Sequence, residues 1–126
     1  MYTLPTTKLN GDKLMKLYGI KTCGSVKKAI KFFNENQIEY EFIDFKKTKI
    51  EAPSIDYWLS KVNSDTLFNS RGTTYRNLKL KDLNLDEEGK REWLIKENML
   101  IKRPVIEYKD KVIVAFDEEI YKNTFI

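Results

Sequence analysis

The 126-residue sequence contains no histidine and a single cysteine. Without histidine there is no Ser-His-Asp triad, no Cys-His pair and no His-containing zinc site. One cysteine excludes an intrachain disulfide, a CxxC redox pair and a Cys-rich metal site. A disulfide-stapled secreted scaffold is excluded with them. Long apolar runs are also missing: no stretch approaches the ~18 consecutive apolar residues that span a bilayer, so no membrane partner is expected. Residues 1–12 hold no apolar stretch resembling a signal peptide. The expected compartment is therefore the cytoplasm, where a lone thiol stays reduced. No internal repeat or low-complexity segment is visible.

What is present points to a packed globule. Aromatic residues make up 13% of the chain, more than a disordered polymer carries. The length suits a single domain over residues 1–126. The 23 basic and 19 acidic residues give a net charge of +4, a mixed surface rather than a basic arm. Lys46, Lys47 and Lys49 form a short cluster, while Lys79, Lys81, Lys90 and Arg91 are scattered. They read as solvated side chains. A nucleic-acid interface would gather them on one face with stacking aromatics, so no direct nucleic-acid partner is expected.

Residues 1–14 read as an irregular lead-in or extension, with Met15 as a candidate native start. Leu14–Ile20 is apolar and β-prone and predicts a strand. After the loop Lys21-Thr22-Cys23-Gly24, Val26, Ala29, Ile30 and Phe33 fall at i, i+3, i+4 and i+7 and predict a helix with one buried face. Its solvent face carries Lys27, Lys28, Lys31 and Glu35, and Thr22 or Ser25 can cap it. Tyr40–Phe45 alternates apolar and acidic residues, which predicts a second strand. Strand, helix, strand implies a parallel pair with a crossover connection.

Pro53-Ser54 is a helix start, and Ile55, Trp58, Leu59 and Val62 supply its stripe. A short helix is expected over Asp65–Asn69, a loop at Arg71–Thr74, and a third helical stretch over Leu83–Asn98. The last third returns to strand patterning. Val105–Lys109, a turn at Asp110-Lys111 and Val112–Phe116 read as a hairpin. Asp117, Glu118 and Glu119 place acid in the first turn of a closing helix whose Ile120, Tyr121 and Phe125 would face the sheet. The order β-α-β, helices, β-β-α is an α/β, thioredoxin-like arrangement with a helical insertion at about residues 50–100.

Cys23 lies where the first strand gives way to the first helix. The unpaired N–H groups and dipole of a helix N-terminus favour the thiolate, the nucleophilic form. Lys21, Lys27 and Lys28 add positive charge. A lone cysteine can equally be a small buried hydrophobe, but this one stands in a Thr-Cys-Gly-Ser loop, off the apolar stripe. Gly24 allows close approach of a ligand or an unusual backbone conformation. Arg103 precedes Pro104, which in a thioredoxin-like fold is usually cis and beside the cysteine loop. Arg103 is either a surface arginine or an anion clamp, since guanidinium binds carboxylates and oxyanions in bidentate fashion. Arg71 and Arg76, in and after the Ser-Arg-Gly-Thr-Thr loop, are solvated arginines unless that loop folds over Cys23.

The strings YGIKTCGSVKKAIKFFNENQIEYEFIDFKK, LFNSRGTTYRNL and LIKRPVI…KVIVAFDEEIY resemble the arsenate reductase-like family from about Lys16 to Tyr121. That family holds glutaredoxin-coupled arsenate reductases, Spx-type transcriptional regulators and probable thiol reductases. The resemblance implies a thioredoxin fold, a nucleophilic Cys23 and a basic pocket using Arg103, with Arg71 as the loop arginine of the Spx-like and thiol-reductase branches. Two positions depart from the pattern. Phe116-Asp117-Glu118 stands where arsenate reductases carry a third arginine, and Val26 stands where Spx regulators carry the second cysteine of a CxxC switch.

The Val-Ala-Phe-Asp-Glu and Arg-Gly-Thr-Thr-Tyr-Arg segments are most similar to the thiol-reductase branch. The implied function is a monothiol oxidoreductase without a bound cofactor or metal. Cys23 would attack a small oxidised or oxyanion substrate, with glutathione or glutaredoxin supplying the resolving thiol. Arg103 and Arg71 would hold the anion, and the N–H groups around Cys23, Gly24 and Ser25, with Lys21 nearby, would stabilise the thiolate. The alternatives are an arsenate reductase and a Spx-like regulator that docks on RNA polymerase.

Overall fold

A computed structural model describes residues 15–126. The expected lead-in over 1–14, and with it the question of a start at Met15, lies outside the described residues. The chain divides into two compact units. One holds the residues up to Asp44 together with Arg103–Ile126, and the other holds Phe45–Lys102.

The first unit is built on a four-stranded sheet of β1 (Lys16–Gly19), β2 (Glu41–Asp44), β3 (Val105–Tyr108) and β4 (Lys111–Val114). The order is β2-β1-β3-β4, with β1 and β2 parallel and the other pairs antiparallel. This is the thioredoxin-like arrangement expected from the strand and helix order. Helix α1 (Gly24–Glu35) makes the β1–β2 crossover. It buries Val26, Ala29, Phe32 and Phe33 and leaves Lys27, Lys28, Lys31 and Glu35 in solvent. The buried face joins Met15, Leu17 and Ile106 of the strand segments and Tyr121 in one core cluster. Burying each large apolar side chain contributes about 1.5–3 kcal/mol, enough to hold a helix with no side-chain cap.

Helix α6 (Glu118–Phe125) closes this unit. Its buried Tyr121 ring stacks on Phe33 (centroids 5.8 Å apart) and meets Phe116 edge-on at 4.8 Å. The Tyr121 hydroxyl donates to the Ala115 carbonyl at 2.8 Å, and the Ala115 N–H donates to the Pro104 carbonyl at 2.8 Å. That chain of bonds ties α6 and the end of β4 to the residue that opens β3. Asp117 caps α6 by accepting from the Ile120 N–H.

The second unit is helical. Helix α2 (Ala52–Leu59) carries Pro53 in its first turn and buries Ile55 and Trp58. Then come α3 (Ser64–Leu67), α4 (Thr73–Asn77), a 3-10 turn at Leu80–Leu83, α5 (Glu87–Lys96) and a 3-10 turn at Asn98–Leu100. Asn63 and Asp86 cap α3 and α5 through side-chain bonds to Thr66 and Gly89 N–H groups. Asn98 accepts from the Ile50 N–H at 2.8 Å and donates to the Ile50 and Leu94 carbonyls. An antiparallel bridge pairs Phe68, just after α3, with Ile101 near the end of the unit.

Several local expectations are corrected. The α1 cap is Cys23, not Thr22 or Ser25: Thr22 lies too early and Ser25 is already inside the first turn. Residues Thr73 and Thr74 are helical rather than loop, because Gly72 takes the extended cap conformation that starts α4. The short helix starts one residue earlier and ends two residues earlier than expected, at Ser64–Leu67, where Asn63 supplies the cap. The stretch from Leu83 to Asn98 is not one helix. Asn84 turns left-handed (φ 48°) and Asp86 makes a better N-cap, so α5 starts at Glu87. The hairpin turn is Lys109-Asp110, with Lys109 at φ 58° and Tyr108 paired to Lys111. Ile120 is 48% exposed. Tyr121 and Phe125, four apart, set the inward stripe of α6, and Ile120 is turned about 100° from it.

Candidate functional site

The site grows from the β1–α1 junction. After Gly19 the chain turns, with the Cys23 N–H donating to the Ile20 carbonyl at 3.2 Å. The Cys23 carbonyl then accepts from the Lys27 N–H at 3.0 Å, the bond that opens α1. Cys23 is thus the N-cap, in extended backbone conformation (φ −77°, ψ 130°), and its thiol makes no cap bond. The side chain is half-buried and packs by its edge against the core cluster. Helical geometry leaves the N–H groups of Gly24, Ser25 and Val26 without intrahelical acceptors, at the positive end of the dipole.

Charge at this terminus is one-sided. Helices α3, α5 and α6 each hold acid in the first turn: Asp65, Glu87 with Glu88, and Glu118 with Glu119. Helix α1 holds none, and Lys27 and Lys28 stand exposed there instead. Lys21 is exposed too, its ammonium 5.9 Å from the centroid of the Phe42 ring on β2. The Gly24 position opens on empty space: a Cβ added there would meet nothing within 4 Å. Its φ is not positive, so its backbone conformation does not require glycine.

Gly19 was not singled out from the sequence and proves necessary. A Cβ there would sit 2.6 Å from the Val26 Cγ2. Val26 is fully buried, so the contact cannot relax into solvent. Only glycine lets the end of β1 come this close to the first turn of α1. The available signal was a strand-ending glycine seven residues before an apolar helix position, and that pattern is too common to be decisive.

The antiparallel register pairs Tyr18 with Val105. It therefore brings Arg103 and Pro104, just ahead of β3, to the same end of the sheet as the loop that carries Cys23. The Arg103–Pro104 peptide bond is cis, as the fold led us to expect. Pro104 is buried and Arg103 half-buried. Beside them, burial and the adjacent Glu107 carboxylate push the Tyr18 phenol above its ordinary range, so it remains a neutral donor to Glu107. Asp117 is occupied as the α6 cap.

Arg71 belongs to the second unit and is exposed. Its N–H donates to Asn69 Oδ1 at 3.1 Å, and its carbonyl accepts from Arg76 Nη1 at 3.0 Å. Arg76 therefore braces the loop that presents Arg71. Among the described residues, no group of three or more His, Cys, Asp or Glu side chains could hold a metal ion. No helix among them is long and apolar enough to cross a membrane.

Residues 18–124 match the ArsC family. A solved structure described as the YffB protein superposes with a TM-score of 0.84 at 32% identity, covering 89% of this chain and 99% of that one. An arsenate reductase (ArsC) related protein from Brucella melitensis gives 0.71 at 32% identity, covering 96% and 98%. In sequence, the chain is 28% identical over 115 residues to a Bacillus anthracis protein named global transcriptional regulator Spx 2, covering 86% of each.

Proposed function

The chain belongs to the ArsC family, and on that premise we propose that it is a monothiol reductase working through Cys23. The observation that carries this reading is the half-buried thiol at the N-cap of α1, a helix with no acid in its first turn. In a chain without histidine, that placement is what singles out Cys23 as the nucleophile.

The Cys23 thiolate attacks the glutathione sulfur of a small mixed disulfide, forming Cys23–S–S–glutathione and expelling the substrate thiolate. The chain has no second cysteine. A second glutathione, or a glutaredoxin thiol, therefore attacks the adduct, releases the disulfide and restores Cys23. Arg103 holds a glutathione carboxylate. The N–H groups of Gly24 and Ser25, with the Lys21 charge, support the sulfur anion. No bound cofactor is needed.

The test is turnover of a glutathione mixed disulfide, coupled to glutathione reductase, with intact-mass detection of the adduct. Cys23→Ser abolishes both turnover and adduct; unchanged turnover overturns the mechanism. Arg103→Ala raises KM for glutathione, by about tenfold for a lost charge-assisted contact. Arsenate offered as substrate in the same assay gives little or no rate, because Asp117 and Glu118 occupy the segment of the missing arginine.

The similarity to a Spx regulator favours a second reading, docking on RNA polymerase. Its signature is saturable binding to purified polymerase that Cys23→Ser leaves unchanged.

A further inference from the structure

We propose that the helical unit contains a separate binding site, a cavity among α3, α4, the Leu80–Leu83 turn and α5, that takes a small monocarboxylate with an apolar body. The cavity measures about 360 Å³. An apolar cavity of about 150 Å³ already admits benzene, so this one has room for a ring with a short chain.

The lining divides into an apolar floor and a polar rim. Phe68, Leu80 and Leu85 form the floor, the first two only 4% and 1% exposed. The Tyr75 ring stands edge-on to Phe68 at 5.9 Å and makes a side wall. Among the described residues, no side chain fills the space above them. The rim carries two lysines, Lys81 and Lys90, and one acid, Asp65. Lys90 and Asp65 are paired at 2.6 Å. Among the described residues of the rim, that leaves the exposed Lys81 as the uncompensated charge. Ser70 and Asn84 complete the rim with neutral polar groups. One net positive charge above an apolar floor suits a single carboxylate; a dianionic phosphate would lack a second free cation on this rim and would leave the floor empty.

The backbone supplies an independent reason to look here. Lys79 (φ 56°, ψ 39°) and Asn84 (φ 48°, ψ 58°) both lie in the left-handed region, one at each end of the Leu80–Leu83 turn. Such conformations are costly for residues with a Cβ and gather at ligand clamps. Here they bracket the segment that turns Leu80 into the floor and leaves Lys81 at the rim. None of these residues takes part in the proposed thiol chemistry.

The probe is 3-phenylpropionate, titrated into the full chain and followed by amide chemical shifts. Saturable shifts are expected at Phe68, Tyr75, Leu80 and Leu85. Lys81→Gln weakens binding about tenfold, and the neutral 3-phenylpropanamide binds the wild type about tenfold more weakly than the acid. Asp65→Asn frees the Lys90 ammonium and tightens binding several-fold, a gain that a merely damaged fold would not produce. The proposal is overturned by the absence of saturable shifts up to about 10 mM probe, the range of the weakest specific binding. It is equally overturned if the amide matches the acid, if Lys81→Gln keeps full affinity, if Asp65→Asn fails to tighten, or if the shifts fall on Lys46–Lys49 instead.

Discussion

Gly19→Ala tests the contact that sets the height of α1 above the sheet. The added Cβ would lie 2.6 Å from Val26 Cγ2, closer than carbon atoms approach. Val26 has no exposed surface, and its branched side chain has few rotamers to retreat into. Overpacking of this kind costs about 1–3 kcal/mol. Because the Gly19 φ is not positive, alanine also stiffens the unfolded chain, which returns about 0.4–1 kcal/mol. The net expectation is a loss of about 1–2 kcal/mol. Val26→Ala alone loses about 2–3 kcal/mol through its cavity. In the double variant the clash partner is gone, so the loss stays near that of Val26→Ala and the coupling is favourable by about 1–2 kcal/mol.

Trp58 and Trp93 both belong to Phe45–Lys102, so intrinsic fluorescence would follow the wrong unit. Hydrogen exchange of β1 and α1 amides under mild urea reads the right one. A Gly19→Ala protein as stable as the wild type, or additivity within about 0.5 kcal/mol, refutes the reasoning.

Asn98→Ala leaves the Ile50 N–H and the Leu94 carbonyl without their side-chain partner. It should lower the stability of the helical unit by about 2–3 kcal/mol, seen as a lower urea midpoint of tryptophan fluorescence; an unmoved midpoint counts against the clamp. Burial raises the phenol pKa of Tyr18, with Glu107 adding to it, and of Tyr121, with Asp117 adding to it. A group with a raised folded pKa contributes stability that is complete below its unfolded value, near 10.0 for tyrosine, and is lost as pH climbs toward the folded value. Ultraviolet titration should therefore show these two phenols ionising late and with unfolding. Ionisation of every tyrosine near that ordinary value with the fold intact would contradict it. Ser25→Asp puts a carboxylate into the first turn of α1. It should stabilise the helix by about 0.3–1 kcal/mol while slowing alkylation of Cys23; both rising together would sink the electrostatic account of the thiol.

Two periodicities made the first unit legible. Val26, Ala29 and Phe33 recur at helical spacing, and the flanking apolar segments alternate or run as strands, so the parallel β1–β2 pair and its crossover followed. The hairpin followed from the same patterning, off by one residue at its turn. Cys23 was readable as a helix-start residue because a strand pattern gives way to a helix pattern around it. The helical unit was less legible because its elements are short. A four-residue α3 and a five-residue α4 cannot display a hydrophobic period, and their limits are set by Asn63 and Gly72 at the caps. Gly19 was invisible for a different reason. Its role is a distance between a strand and a helix, and no pattern along the chain encodes that distance.

The absence of histidine acquires a structural counterpart at α1. Asp65, Glu87 and Glu118 each stabilise a helix start in this chain. An acid at Ser25 would do the same for α1, at the expense of any anion forming on Cys23. The stability of α1 is instead drawn from its buried face, where Val26, Ala29, Phe32 and Phe33 meet the sheet. A helix held by its core can leave its N-terminal N–H groups unpaired and its first turn without acid. The proposed thiol chemistry at Cys23 rests on that separation of duties, since the chain offers no histidine as a neighbouring base. Gly19 belongs to the same arrangement, since its lack of a Cβ sets the height at which Val26 and the first turn of α1 sit above the sheet.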